Sequence, residues 1–259
     1  MDAVYRSVVG FGLGTFRVMR WDMRPTGLRN IPDRGPAIFA SNHIGYLDFA
    51  FIGEAASRRG RLIRFLARGD AFDHWLGGPL LRAMRHIPVD REGNASAALG
   101  AARAAVEAGE AVGIHPEGAM SRSFVPQPGK TGAARLALAT GASLVPTAVW
   151  GSQRILAPGH PKFPRHVVVT VDFGAPVHPE QGEDAAALTG RLMDAIRVMV
   201  QRAAAMYPQR PRGASDGWWL PAHLGGTAPT VEESLASLRA AARRRRARRA
   251  PVAAGDAPA

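Results

Sequence analysis

Short β-rich runs alternate with helical segments along most of this 259-residue chain, and this alternation limits the fold more than any other feature. The sequence predicts strands at residues 37–41, 62–66, 86–89, 111–115, 144–149 and 167–173. It predicts helices at residues 47–58, 74–84, 95–108, 131–139 and 184–205. Such alternation is typical of an α/β fold with a mostly parallel central sheet flanked by helices, whose sites lie beyond the carboxyl ends of the strands.

Residues 1–24 form a predicted helical segment in front of this pattern. Its uncharged run from Ser7 to Phe16 is bounded by Arg6 and Arg17. The run is too short to span a bilayer core, which needs about 20 apolar residues. Two interpretations stay open, a helix that associates with a membrane surface and a helix that packs on the domain.

The remaining chain divides into three predicted parts. Residues 25–207 form the α/β domain, which begins with a linker at residues 25–36. Residues 208–229 are rich in Gly and Pro and are predicted to be a covering segment or linker with an exposed Trp218–Trp219 pair. Residues 230–259 are predicted to form a basic helix that starts with a Thr230/Glu233 capping box and ends in a disordered tail.

The net charge of +12 is concentrated near the carboxyl end, where seven arginines lie within the last 21 residues. Such a run binds polyanions without discrimination, so charge alone does not distinguish anionic lipid from nucleic acid as the partner. No aromatic residue lies among the arginines, which disfavours base stacking and a specific nucleic-acid partner. The chain has no cysteine, which excludes disulfides and a cysteine nucleophile and is compatible with a reducing cytoplasm.

The segment IFASNHIGYLDFAF places Asn42, His43 and Asp48 within an apolar stretch. On an ideal helix His43 and Asp48 would lie on different faces. Their side chains meet only if His43 lies in the loop after the strand, Gly45 lets the chain fold back, and Asp48 begins the next helix. Asp48 would then orient one imidazole nitrogen and leave the other free to take a proton. The alternative is a capped helix after a strand.

Three further segments carry candidate binding residues. Glu117 and Gly118 lie in a predicted turn after a strand, within GIHPEGAMSRS. Arg91 follows another strand and has the geometry for gripping a phosphate, and Lys130 precedes a helix amino terminus, which favours anions. Each is equally compatible with a solvated turn. The sequence has no tight pair of metal ligands, so we predict no metal site.

Together and in this order, the segments resemble the glycerophospholipid acyltransferase family, in particular its bacterial 1-acylglycerol-3-phosphate acyltransferases. The resemblance runs from about Asn30 to Val177 and rests on NHIGYLD, IPVDR, HPEGAMS, GKTGAARLA and VPTAV. The sequence departs from the family pattern at His115, where Phe is common, and at Ala119 and Met120, where Thr and Arg are usual. Arg122 would supply the missing guanidinium two positions later.

The resemblance implies that His43 is the general base and that Asp48 orients it. It implies transfer of an acyl group from acyl-CoA or acyl carrier protein to lysophosphatidic acid, without a cofactor or metal. It also implies that the protein has membrane lipids as partners and is a peripheral or monotopic protein on the cytoplasmic face of the cell membrane. The substrate-binding residues that it implies are Asn42, Arg91, Glu117, Gly118, Arg122 and Lys130.

Two other functions stay open. One is a related O-acyltransferase with a different lysolipid or hydroxylated acceptor. The other is a non-catalytic polyanion- or membrane-binding protein that acts through its basic tail.

Overall fold

Helices and strands alternate along the chain, as the sequence predicts, in a computed structural model that describes residues 2–75, 77–89 and 95–249. The helices are α1 (Asp2–Met19), α2 (Asp48–Ser57), α3 (Gly77–Ala83), α4 (Ala95–Glu107), α5 (Gly132–Thr140), α6 (Ala185–Ala205) and α7 (Val231–Arg249). The strands are β1 (Asp22–Thr26), β2 (Ala37–Ser41), β3 (Ile63–Arg68), β4 (Ile87–Val89), β5 (Ala111–Ile114), β6 (Ser143–Trp150), β7 (Leu156–Ala157), β8 (His160–Pro161) and β9 (Val168–Phe173).

Seven strands form the central sheet in the order β1-β9-β6-β2-β5-β3-β4, and β7 pairs with β8 in a separate hairpin. Neighbouring strands of the central sheet run parallel except β6 and β9. Every residue of β2 and β5 is buried, because helices cover both faces of the sheet. The predicted α/β fold with a mostly parallel sheet is confirmed.

The segment at residues 25–36 is not the linker that the sequence predicts. Pro25 and Thr26 belong to β1, which pairs with β9, and Leu28–Asn30 forms a 3-10 helix. β1 is polar and lies at the edge of the sheet, where a proline is tolerated because it has no ladder bond to donate on the open side. An edge strand of this composition gives no apolar pattern from which it could be predicted.

The predicted exposed tryptophan pair is also corrected. Trp219 is only 1% exposed and Trp218 is half-buried, within the 3-10 helix Ala214–Trp219. The Arg154 guanidinium lies 4.4 Å from the centre of the Trp219 ring, and the Gln153 side-chain amide donates to the Trp219 carbonyl at 3.3 Å. Residues 208–229 therefore pack on the domain at this point.

Helix α1 packs on the domain with one face. The Tyr5 hydroxyl donates to the Ile63 carbonyl at 3.0 Å, and the buried Phe16 ring lies 5.0 Å from the Phe51 ring. The other face carries apolar side chains in solvent, with Phe11 79% exposed and Val18 66% exposed. None of the described helices combines the length and the apolar composition needed to cross a membrane.

Helix α7 begins with the predicted capping box. The Thr230 N–H donates to Glu233 Oε2 at 2.8 Å, and the Glu233 N–H donates to Thr230 Oγ1 at 3.2 Å. The predicted disordered tail at residues 250–259 lies outside the described residues.

Candidate active site

The candidate residues follow two neighbouring strands. β2 and β5 pair in parallel, so their carboxyl ends meet at one edge of the sheet. Asn42 and His43 follow β2, and His115 and Glu117 follow β5. The sheet topology thus brings together two segments that are about 70 residues apart in the chain.

His43 and Asp48 make the contact that the sequence predicts. His43 lies in the loop after β2, Asp48 is the first residue of α2, and His43 Nδ1 is 2.9 Å from Asp48 Oδ2. Because the carboxylate accepts this bond, Nδ1 carries the hydrogen and Nε2 keeps its lone pair. A side chain at Gly45 would come within 3.2 Å of the Ser152 and Leu156 backbone, so the return of the loop needs glycine.

Asp48 is fully buried and accepts three further hydrogen bonds. Its Oδ2 accepts from the Ile44 and Gly45 N–H groups at 2.8 and 2.9 Å, and its Oδ1 accepts from Ser152 Oγ at 2.5 Å. Burial alone raises the pKa of this carboxyl. The hydrogen bond and the electrostatic attraction of His43, with smaller contributions from His115 and from the Ser152 bond, outweigh burial and hold the pKa below its usual range. Asp48 is therefore ionised at neutral pH beside His43.

Glu117 holds the loop that carries His43. Its carboxyl accepts from the His43 N–H at 2.9 Å and from the Gln127 N–H at 3.0 Å. Burial raises the pKa of Glu117 to about 8, although these two bonds act in the opposite direction. Both of its oxygens are engaged by backbone, so Glu117 joins the loops after β2 and β5.

His115 stacks on His43, with ring centres 4.1 Å apart and planes 9° from parallel. Its Nδ1 lies 2.9 Å from Ser41 Oγ and 3.2 Å from the Asn42 carbonyl. Burial and, to a smaller extent, the neighbouring His43 lower the pKa of His115 to about 3. His115 is therefore neutral at physiological pH, with its hydrogen on Nδ1 facing the carbonyl.

The other predicted binding residues have different environments. Lys130 lines the same cavity as His43, and a side chain at Gly118, whose φ is +68°, would lie 2.9 Å from its Nζ. Arg122 has an exposed side chain that does not line this cavity. Asn42 is fully buried, and its amide bonds to both the carbonyl and the N–H of Val149 at 3.0 and 2.8 Å. Its geometry favours anchoring the loop to β6.

The predicted phosphate-binding Arg91 lies outside the described residues. Three residues of the site have no signal in the sequence pattern, namely Ser152, Gln127 and His115 in its stacked position. Ser152 is distant in sequence from Asp48 and contacts it only through the fold, and Gln127 contacts Glu117 through the loop after β5. Within the described ranges, no group of three or more His, Asp or Glu side chains is placed to hold a metal ion.

A cavity of about 2230 Å³ opens beside His43. Its walls come mainly from apolar side chains of α1, α2, α3 and α7, among them Val8, Phe49, Leu80 and Leu235. Its volume exceeds the roughly 300–1,000 Å³ of ordinary small-molecule pockets. A long apolar substrate chain therefore fits next to the His43–Asp48 pair.

The chain is similar in sequence to known acyltransferases. Residues 22–150 match the model of the acyltransferase family. Over 133 residues the chain is 28% identical to the 1-acyl-sn-glycerol-3-phosphate acyltransferase of Bacillus subtilis strain 168, a match that covers 51% of this chain and 65% of that protein's length.

The fold is similar to the crystal structure of the 1-acyl-sn-glycerophosphate acyltransferase PlsC from Thermotoga maritima. The TM-score is 0.66 at 20% identity, over 79% of this chain and 81% of the other. Residues 22–150 of this chain therefore belong to the acyltransferase family.

Proposed function

We propose that this acyltransferase moves a fatty acyl group from an acyl thioester to the free hydroxyl of 1-acylglycerol-3-phosphate, giving phosphatidic acid. One observation carries the proposal. The Nδ1 of His43 is fixed by the buried Asp48 at 2.9 Å, and the histidine lines a large apolar cavity. The relative from Bacillus subtilis, whose name states this acceptor, supports the choice of substrate.

His43 Nε2 is the base in the proposed reaction. It takes the proton of the acceptor hydroxyl while the oxygen attacks the thioester carbonyl, so that a C–O bond forms. Collapse of the tetrahedral intermediate breaks the C–S bond, and the His43 imidazolium gives its proton to the departing thiolate. Asp48 stabilises the imidazolium and sets its tautomer. The mechanism needs no acyl-enzyme, which suits a chain without cysteine.

The stacked His115 fits this cycle. An imidazolium on His43 faces the ring of His115 at 4.1 Å, and a second positive charge there would oppose its formation. Burial keeps His115 neutral, because its pKa lies at about 3. The stack therefore supports the orientation of His43 without an electrostatic penalty.

Lys130 is proposed to bind the acceptor phosphate, beside a backbone that Gly118 keeps open. We keep Arg91 as a proposed phosphate ligand. Arg122 is not kept, because its exposed side chain does not line the cavity. Glu117 and Asn42 are proposed to shape the acceptor site by holding its loops.

The protein is proposed to act as a peripheral or monotopic protein on the cytoplasmic face of the membrane. The exposed apolar face of α1, with Phe11 and Val18, supports contact with lipid chains, and the arginines of α7 support contact with anionic headgroups. The proposed donors are acyl-CoA and acyl carrier protein, with no further cofactor.

A panel assay tests the proposal. The purified full-length protein is mixed with acyl-CoA or acyl carrier protein thioesters and with lysophosphatidic acid, other lysolipids and monoacylglycerol, and the products are identified by mass spectrometry. We expect phosphatidic acid to form fastest. Faster acylation of another acceptor would favour the related O-acyltransferase, a choice that Ala119 and Met120 in the cavity wall make relevant. No transfer to any acceptor would contradict the proposal.

A further inference from the structure

The cavity beside His43 carries an excess of positive charge. Four of the described lysine and arginine side chains line it, Arg68, Lys130, Arg135 and Arg239. Arg68 is paired with Asp70. In the described part of the chain, the side chains of Lys130, Arg135 and Arg239 make no hydrogen bond or ion pair.

The acidic residues of the cavity do not neutralise these cations. Two carboxyl groups line the cavity in the described residues, Glu54 and Glu117. Glu54 accepts from the Arg58 guanidinium at 2.9 Å, and Glu117 accepts from two backbone N–H groups. Lys130, Arg135 and Arg239 are exposed side chains in the wall of a largely apolar cavity. Three unpaired cations at this wall favour an anionic ligand.

Arg239 reaches the cavity because α7 is fastened to the site. Ser234 is fully buried, and its Oγ accepts from Gln127 Nε2 at 2.8 Å and from the Arg122 N–H at 3.1 Å. The Gln127 N–H in turn donates to Glu117, whose carboxyl also binds the backbone of His43. A continuous chain of hydrogen bonds therefore links α7 to the loop of His43.

One face of α7 forms the cavity wall. Ser234 makes the buried contact, and the next residues on this face line the cavity, namely Leu235, Leu238, Arg239 and Ala242. These positions recur at intervals of three and four, as on one side of a helix. Arg244 is exposed, does not line the cavity, and lies on the opposite side of an ideal helix.

We propose that Arg239, with Lys130 and Arg135, forms an anion-binding site in the cavity wall that takes a phosphate group of a substrate. This proposal rests on the proposed function, because a phosphate occurs both on the acceptor and on an acyl-CoA donor. It separates Arg239, which lines the cavity, from Arg243 and Arg244, which are exposed and do not line it. The arginines after residue 238 therefore do not act as one unit.

Kinetics of Arg239→Ala test the site, with Arg239→Lys as the conservative variant and Arg244→Ala as the matched control on the same helix. The full-length protein is assayed in neutral detergent micelles, which removes attraction to anionic lipid. Lysophosphatidic acid is compared with monoacylglycerol, and acyl-CoA with the acyl-N-acetylcysteamine thioester, which lacks phosphates.

We expect Arg239→Ala to raise the KM of the phosphate-bearing substrate by about tenfold or more, as for loss of a charge-assisted hydrogen bond. A rise for lysophosphatidic acid alone assigns the site to the acceptor, and a rise for acyl-CoA alone assigns it to the donor. We expect Arg239→Lys to recover part of the loss and Arg244→Ala to behave as wild type. Equal KM values in Arg239→Ala and Arg244→Ala would overturn the site.

A binding measurement separates this proposal from the proposed function. Short-chain lysophosphatidic acid and coenzyme A are titrated by calorimetry into His43→Ala protein, with and without Arg239→Ala. Weaker binding of one ligand with Arg239→Ala supports the anion site even if the wild type transfers no acyl group. Unchanged binding of both ligands, in a protein whose wild type does transfer acyl groups, refutes the anion site and leaves the proposed function standing.

Discussion

Asp48 is the most tightly held polar residue of the site. Four donors converge on its carboxylate, from His43, Ile44, Gly45 and Ser152. An amide nitrogen cannot accept any of these bonds, so one side of an asparagine would repel its donors.

We therefore expect Asp48→Asn to lower kcat by at least about a hundredfold, because His43 loses its tautomer and orientation. Turnover of the purified variant measures this, with Asp194→Asn on the surface of α6 as the control. A loss below about threefold would show that Asp48 does not orient the base.

The second prediction concerns His115 and the folding stability of the protein at acid pH. Its folded pKa of about 3 lies below the ordinary value of 6.5, so the folded state stays neutral where the unfolded chain takes up a proton. Stability from this group is complete above pH 6.5 and is lost as pH falls toward 3.

We expect His115→Phe, which keeps an aromatic ring stacked on His43, to flatten the dependence of the free energy of unfolding on pH. Between these pH values the slope should fall by up to about 1.4 kcal/mol per pH unit. Part of the slope remains in this variant, because burial also lowers the pKa of His86 and interactions with His43 lower the pKa of Asp48. Urea unfolding at a series of pH values measures it, with the exposed His223→Phe as control. An unchanged slope would contradict the burial of a neutral His115.

The contact between His43 and Asp48 could be predicted from the sequence because both belong to one strand–loop–helix segment. Ser152 could not, because it reaches Asp48 across the fold from the end of β6. Gln127 could not, because its bond to Glu117 depends on the path of an irregular loop that has no sequence pattern. The stacking of His115 was equally hidden, since the parallel register of β2 and β5 sets it.

At the scale of elements, α1 combines a packed face and an exposed apolar face. The sequence predicted a helix here but not its facing, because which residues are buried depends on α2 and on the aromatic cluster with Trp21 and Phe51. The sequence does not predict β1, because its polar residues at the sheet edge lack the apolar pattern of a strand.

Phe11 tests whether α1 contacts membrane. We expect Phe11→Ser to weaken binding to phospholipid vesicles by about tenfold, since insertion of a Phe side chain contributes about 1.5–3 kcal/mol. Vesicle sedimentation measures this, with the exposed Leu138→Ser on α5 as a matched control. Equal binding of both variants and wild type would leave α1 as a structural helix only.

Arg243 and Arg244 are exposed arginines of α7, and we expect them to bind anionic lipid. Replacing Arg243 and Arg244 with Gln should weaken binding to anionic vesicles by about 1 kcal/mol per arginine. Turnover in neutral micelles should not change, and raised salt should mimic the substitutions, because screening acts on exposed charges. Unchanged sedimentation with anionic vesicles would show that Arg243 and Arg244 do not bind lipid.

At the scale of the whole molecule, the sheet, α1 and α7 surround one cavity that ends at His43. The sheet fixes the His43–Asp48 pair, α1 presents apolar surface near the same cavity, and α7 adds Arg239 to its wall. The sequence predicted the sheet and the pair, because their patterns are local. It did not predict the cavity, since that space exists only between elements brought together by folding.

The most direct test of the proposed mechanism is the rate of acyl transfer by His43→Ala, measured from acyl-CoA to lysophosphatidic acid in neutral micelles. The exposed His223→Ala is the matched control, and thermal melting shows that both variants fold. The proposed mechanism predicts a loss of about a hundredfold or more in kcat for His43→Ala and none for His223→Ala, since a general base contributes about 10²–10⁴-fold. Near wild-type turnover by folded His43→Ala would contradict it.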